Sequence, residues 1–289
     1  MGHLGCTVMA MEVDMKSCIS MWSFEGLLSS GKTGLEGPFE YAASQGIGAV
    51  EVLDYYLKDD AGYKLAASAT KRLGLEIPCL TIVCDLSTGG SAFEAQRQYI
   101  LAMMARARGL GARYLRILGG DNPEKLDTAS AFERIRMNAV SLLASAEAHS
   151  LTLVMENTGA CHCRTVDLAA TLRSVNSPLL RANFDTANPL LANEDPADSL
   201  AILKGLVSHV HLKDFRAADI SELGAQVALN GECFVGCPLG LGLVDVDALV
   251  ATLLTSGYDG YLSIEYEGKA DETGPIDLCT KRLLALTGA

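Results

Sequence analysis

The sequence predicts an α/β protein, a single (β/α)8 TIM barrel spanning residues 1–289. Eight short apolar β-like runs alternate with longer stretches of helical period along the chain. No Pro/Gly/Ser-rich linker divides it, and 289 residues suit one barrel of ~250 residues with modest insertions.

The β-like runs lie at 18–24, 49–53, 78–84, 113–118, 151–156, 182–185, 207–212 and 260–265. Most are apolar on both faces, as strands of a parallel sheet covered on both sides read. Between them, residues 60–74, 91–111 and 130–149 are rich in Ala, Leu, Arg and Glu, with apolar positions at i, i+3 and i+4. Shorter helices are expected at 37–45, 165–175, 196–205, 245–256 and 274–287. Asp59-Asp60, Ser91 and Thr128 read as N-terminal caps, and Gly74, Gly109/Gly111 and Gly257 as stops. Residues 215–244 are irregular and Gly-rich in their second half, and read as a lid or side wall after the seventh strand.

Composition narrows the function. Lys and Arg total 23 against 35 Asp and Glu, a net charge of −12, which argues against binding nucleic acid through its phosphates. No window approaches the ~20 apolar residues of a membrane span. The opening MGHLGCTVMAMEVDMKSC carries acids in its apolar stretch and does not read as a signal peptide. The nine cysteines are an odd count in a chain too long to need disulfide staples. Cys161-His162-Cys163 and Cys233/Cys237 lack the paired CxxC spacing of a structural zinc site. Reduced, mostly buried cysteines in a cytoplasmic protein are expected.

Active sites in this architecture form at the C-terminal ends of the strands. Strand five ends in Met155-Glu156-Asn157 and strand six in Phe184-Asp185-Thr186. Strand seven carries His209-Val210-His211-Leu212-Lys213, and strand eight ends in Ile264-Glu265-Tyr266-Glu267. Three carboxylates desolvated together would repel one another. One divalent cation shared by Glu156, Asp185, His211 and Glu265 removes that cost. Period-two alternation puts His209, His211 and Lys213 on one face. His211 is nearer the strand end, so His209 is expected one layer deeper, hydrogen-bonded beneath the metal or simply packed. Lys213 either contacts a substrate oxygen or pairs with Asp54 or Glu51. Glu267 is expected in solvent. Trp22, Glu25, Arg116, Asn157, Asn188 and Arg216 are further candidates for contacting substrate, with Trp22 equally readable as a core aromatic. Arg116 stands out because a charged residue inside a strand is rarely buried without a partner.

The strings MEN, NFDTAN, HVHLKD and SIEYEG, with ISMWSF and GIGAVEV before them, resemble the sugar phosphate isomerase/epimerase superfamily, the xylose-isomerase-like barrels. The resemblance covers nearly the whole chain. It implies a divalent-metal-dependent isomerase or epimerase of a small keto sugar or sugar derivative, with a lyase or dehydratase of a cyclic polyol or keto compound as the alternative. It implies that Glu156, Asp185, His211 and Glu265 bind one ion, Mn2+ before Mg2+, Co2+ or Zn2+. Glu156 and Glu265 are implied as the groups that remove and return the α-proton, through an enediolate. Members are often dimers or tetramers, and the sequence leaves a homo-oligomer open. Two departures stand out. Asn188 occupies a position where many relatives carry histidine, and the loop before helix seven reads Gly240-Leu241-Gly242.

Overall fold

The computed structural model describes residues 15–269 and 271–288. The N-terminal stretch read above for a signal peptide therefore lies almost wholly outside the described residues. Among the described residues eleven strands form: β1 Lys16–Ser20, β2 Ala49–Leu53, β3 Cys79–Thr81, β4 Tyr114–Ile117, β5 Thr152–Glu156, β6 Leu180–Asp185, β7 Val207–Leu212, β8 Asp214–Ala217, β9 Gln226–Val227, β10 Cys233–Cys237 and β11 Tyr261–Ile264. Strands β1 to β7 and β11 close a barrel in the order β1-β11-β7-β6-β5-β4-β3-β2. Every neighbouring pair is parallel. The predicted (β/α)8 TIM barrel is the fold observed.

The helices lie close to their expected places, at Gly37–Gln45, Asp60–Leu73, Gly90–Gly109, Thr128–Ala148, Thr165–Val175, Pro196–Leu203, Val246–Thr255 and Gly274–Thr287. Apolar period explains why they sit on the barrel. Thr128–Ala148 buries Ile135, Ala139, Leu142 and Ala146, one stripe at spacings of four and three. Fully burying each larger aliphatic chain contributes ~1.5–3 kcal/mol.

Several boundaries differ from the sequence reading, each for a local reason. The first strand stops at Ser20, whose hydroxyl accepts from Trp22 N at 3.2 Å and starts a 3-10 turn over Met21–Phe24. The third strand begins at Cys79 because Pro78 has no N–H to donate to the ladder. Asp127, not Thr128, caps its helix by accepting from Ser130 N at 3.0 Å. Gly89, without a side-chain cap, precedes the helix assigned to Ser91. Asp59 caps as expected, accepting from Ala61 N at 3.0 Å and Gly62 N at 3.1 Å.

The irregular stretch after β7 contains an antiparallel sheet of order β8-β10-β9. Among the described residues all eight cysteines are free, and no helix is long and apolar enough to cross a membrane.

Candidate metal centre

Parallel strands carry their last inward side chains to the same end of the barrel. Register sets His211 of β7 beside Asp185 of β6 and Ser263 of β11. Glu156 ends β5, and Glu265 directly follows β11. All four candidate ligands are buried, and one ligand atom from each of Glu156, Asp185, His211 and Glu265 lies within 4.8 Å of the others. His211 Nδ1 is 2.9 Å from Glu156 Oε1, 3.3 Å from Glu265 Oε2 and 4.0 Å from Asp185 Oδ2.

Asp185 is held by its own chain. Its Oδ1 accepts from the backbone N–H groups of Ala187 and Asn188, both at 2.9 Å. Asn157 bonds Asp185 twice through the backbone, donating to its carbonyl at 3.0 Å and accepting from its N–H at 2.8 Å. Asp185 Oδ2 is buried and accepts no aligned hydrogen bond, although Lys213 Nζ lies 2.8 Å away. That oxygen, beside two glutamates and an imidazole nitrogen, completes a donor set that fits a divalent ion taking oxygen and nitrogen ligands.

Two cations, the half-buried Arg116 and the buried Lys213, enter the same space. Arg116, from β4, forms an ion pair with Glu156 Oε2. Lys213 Nζ lies 3.0 Å from Glu265 Oε2 and 3.1 Å from Glu267 Oε1. Neither partner offered for Lys213 by the sequence is used. Asp54 accepts from the Tyr99 hydroxyl, and Glu51 is held by the histidines. Lys213 lies beyond the end of β7, level with the ligands and not with Glu51 deeper in the barrel. Its Nζ also lies 3.3 Å from Asn188 Oδ1, a hydrogen bond that histidine could not make in the same way.

Glu267 does not project into solvent as expected. It accepts from Trp22 Nε1 at 3.1 Å and from Gln226 Nε2 at 2.8 Å, besides facing Lys213. Trp22 is half-buried on the 3-10 turn at the edge of this group, and Glu25 beside it pairs with Lys269 at 3.2 Å. The structure does not bring Arg216 to the cluster. Its guanidinium is exposed on β8 and pairs with Glu222 at 2.7 Å.

One buried acid was missed as a site residue. Glu51, in the middle of β2, is fully buried and accepts from His209 Nε2 at 3.0 Å, Ser263 Oγ at 2.8 Å and Thr81 Oγ1. It also faces His211 Nε2 at 3.0 Å. The available signal was an acid inside the apolar run Ala-Val-Glu-Val-Leu, the same kind of signal that singled out Arg116.

The electrostatics follow from this packing. Burial pushes the Glu51 carboxyl up, but His211 and His209 outweigh it and hold the group well below the usual carboxylate range. Burial opposes ionisation of Glu156 too, and Arg116 and His211 overcome it. For Glu265, His211 and Lys213 overcome burial. Asp185 goes the other way: burial, with Glu156 and Glu265 nearby, raises it despite Lys213. Burial disfavours charge on His211 and Lys213, yet the surrounding carboxylates hold both pKa values well above their ordinary range.

Fold and site together define a barrel of the xylose isomerase-like type. The chain belongs to the family of xylose isomerase-like TIM barrels, which it matches over residues 39–279. It is 27% identical over 220 residues to 3-oxo-isoapionate decarboxylase of Pectobacterium atrosepticum, covering 76% of this chain and 73% of that one. It is 27% identical over 103 residues to inosose dehydratase of Lacticaseibacillus casei, 34% of each chain. Among solved structures, a D-tagatose 3-epimerase-like protein superposes with a TM-score of 0.74 at 17% identity, over 95% of this chain and 98% of the other.

Proposed function

We propose that this protein is a divalent-metal-dependent isomerase or epimerase of a small keto sugar or sugar derivative. Glu156, Asp185, His211 and Glu265 would hold the ion. The observation that carries the reading is that one ligand atom from each of these four groups stands within 4.8 Å of the others. When bound, a divalent ion supplies Lewis-acid polarisation of a ketone and its neighbouring hydroxyl.

The chain's own residues supply the proton transfers. One of Glu156 and Glu265 takes the proton from the carbon beside the carbonyl, and that C–H electron pair becomes the second bond of an enediolate. For epimerisation the other glutamate enters the turnover protonated and gives that proton to the same carbon from the opposite face; for isomerisation the proton taken from carbon goes to the former carbonyl carbon while the hydroxyl proton passes to the neighbouring oxygen. Proton transfer by positioned groups contributes ~10²–10⁴-fold. Arg116 restrains Glu156, and Lys213 restrains Glu265. Asn188 bonds a hydroxyl but does not relay a proton near neutral pH. Trp22 offers a ring face at the mouth, and the β8-β10-β9 sheet walls that side through Gln226 and Glu267.

A lyase is the second reading, favoured by the names of the decarboxylase and dehydratase relatives. It shares the enediolate or enolate and differs in what leaves. The test incubates Mn2+-loaded enzyme with candidate ketoses in D2O, then removes protein and ion before NMR. Deuterium beside the carbonyl without loss of water or CO2 selects isomerisation. Loss of either selects the lyase, and an unchanged panel with neither contradicts both readings.

A further inference from the structure

We propose that Glu51 is a positioning residue that keeps the proton of the His211 ring on Nε2, so that Nδ1 presents its lone pair to the ion. The inference rests on the metal reading above and assigns a role to a residue outside the ligand set.

His211 has two different sides. Its Nε2 lies 3.0 Å from Glu51 Oε1 and 3.1 Å from Oε2. Its Nδ1 faces Glu156, Glu265 and Asp185 at 2.9, 3.3 and 4.0 Å. An ionised carboxylate only accepts hydrogen bonds, so the nitrogen turned to Glu51 must carry hydrogen. With one proton on the ring, Nδ1 is then the bare nitrogen, pointing at three carboxylates. Asn183 Nδ2, 3.2 Å from Nδ1 and 3.3 Å from Nε2, lies against both nitrogens and so does not tell them apart, whereas the carboxylate oxygens around Nδ1 repel a lone pair there unless a cation lies between them.

Glu51 is built to hold this direction. His209 Nε2 at 3.0 Å and Ser263 Oγ at 2.8 Å fix one oxygen, and Thr81 Oγ1 donates to the other. The carboxylate is fully buried and its oxygens are taken up by these donors. The trio Glu51, His209 and His211 has ligand-type atoms close enough to hold an ion of its own. Saturation of Glu51 by hydrogen bonds assigns it to the imidazoles instead. A carboxylate behind a ligating histidine fixes the ring and raises its basicity, and losing such a partner costs ~10–100-fold in metal affinity.

The test labels histidine with 15N and loads the full chain with Zn2+. Long-range 1H–15N correlations then report which His211 nitrogen bears hydrogen. The expected result is hydrogen on Nε2 and a metal-shifted Nδ1. Glu51→Gln should bind Mn2+ about 10–100-fold more weakly by calorimetry and lose that tautomer signature. If that variant does not fold, Ser263→Ala, which removes one restraint on Glu51, should weaken Mn2+ binding by a smaller factor. Hydrogen on Nδ1 in the Zn2+-loaded wild type, or wild-type Mn2+ affinity in a folded Glu51→Gln, overturns this inference and leaves the metal reading standing. Failure of Zn2+ to shift any histidine overturns both.

Discussion

Lys213 Nζ sits 3.0 Å from Glu265 Oε2 and 2.8 Å from Asp185 Oδ2, so a side-chain cation bridges two of the four candidate metal ligands. Lys213 is 3% exposed, and removing one partner of a buried ion pair costs ~3–5 kcal/mol. Lys213→Met should therefore destabilise chelator-treated protein by about that amount in urea titrations. A bound dication replaces much of the lost charge, so saturating Mn2+ should recover most of the difference. Equal losses with and without Mn2+ would mean that Lys213 and the ion do not share these carboxylates.

His162 gives a prediction away from the ligand cluster. Its ring is fully buried, stacked on Phe132 with centroids 5.9 Å apart and planes 4° from parallel. Nε2 is 3.0 Å from Thr171 Oγ1, while Nδ1 has no partner. Gly119 allows this packing, since a Cβ there would lie 2.2 Å from Nδ1. Burial pushes the imidazole pKa down to about 4. In the unfolded chain it is ~6.5. Between these values the unfolded chain binds the extra proton, so stability falls as pH drops from ~6.5 toward 4. The contribution is on the order of 3 kcal/mol, fully present above the upper value. His162→Gln stays neutral and should flatten that part of the stability curve. Parallel wild-type and variant curves from pH 7 to 4 would refute the assignment.

Trp22 is the single tryptophan of the chain and is linked through Glu267 to Lys213 and so to the ligands. Its ring also has Lys269 Nζ 5.3 Å from the centroid. Intrinsic fluorescence should therefore change saturably on adding Mn2+, with the midpoint found by calorimetry. Glu267→Gln, which loses a charged acceptor for the indole N–H, should shrink the change without moving the midpoint more than a few-fold. Fluorescence indifferent to Mn2+ under conditions where calorimetry detects binding would disconnect Trp22 from the site.

The barrel was legible because its signals are local. Apolar runs, helical period and stop glycines lie within a few residues of one another, and the strand ends then follow from the architecture. The gathering of Glu156, Asp185, His211 and Glu265 followed from that geometry together with the cost of burying like charges. What escaped were choices between partners distant in sequence. Nothing near Lys213 says that Asp185, Glu265 and Glu267 will be its neighbours instead of Glu51 or Asp54. Glu267 reads as solvated until Trp22 and Gln226, 245 and 41 residues away, are folded against it. Arg216 sits a few residues after His211, yet β8 leaves the barrel to pair with β10, and the Arg216 side chain goes outward to Glu222.

The central claim is that four side chains from four barrel strands hold one dication. The most direct measurement is calorimetric titration of chelator-stripped protein with Mn2+, alongside Asp185→Asn, which keeps shape and removes the carboxylate charge. One saturable site per chain in the wild type, weakened at least tenfold in the variant, is the result predicted. Absence of binding by the folded wild type, or equal affinity in the two proteins, would contradict it.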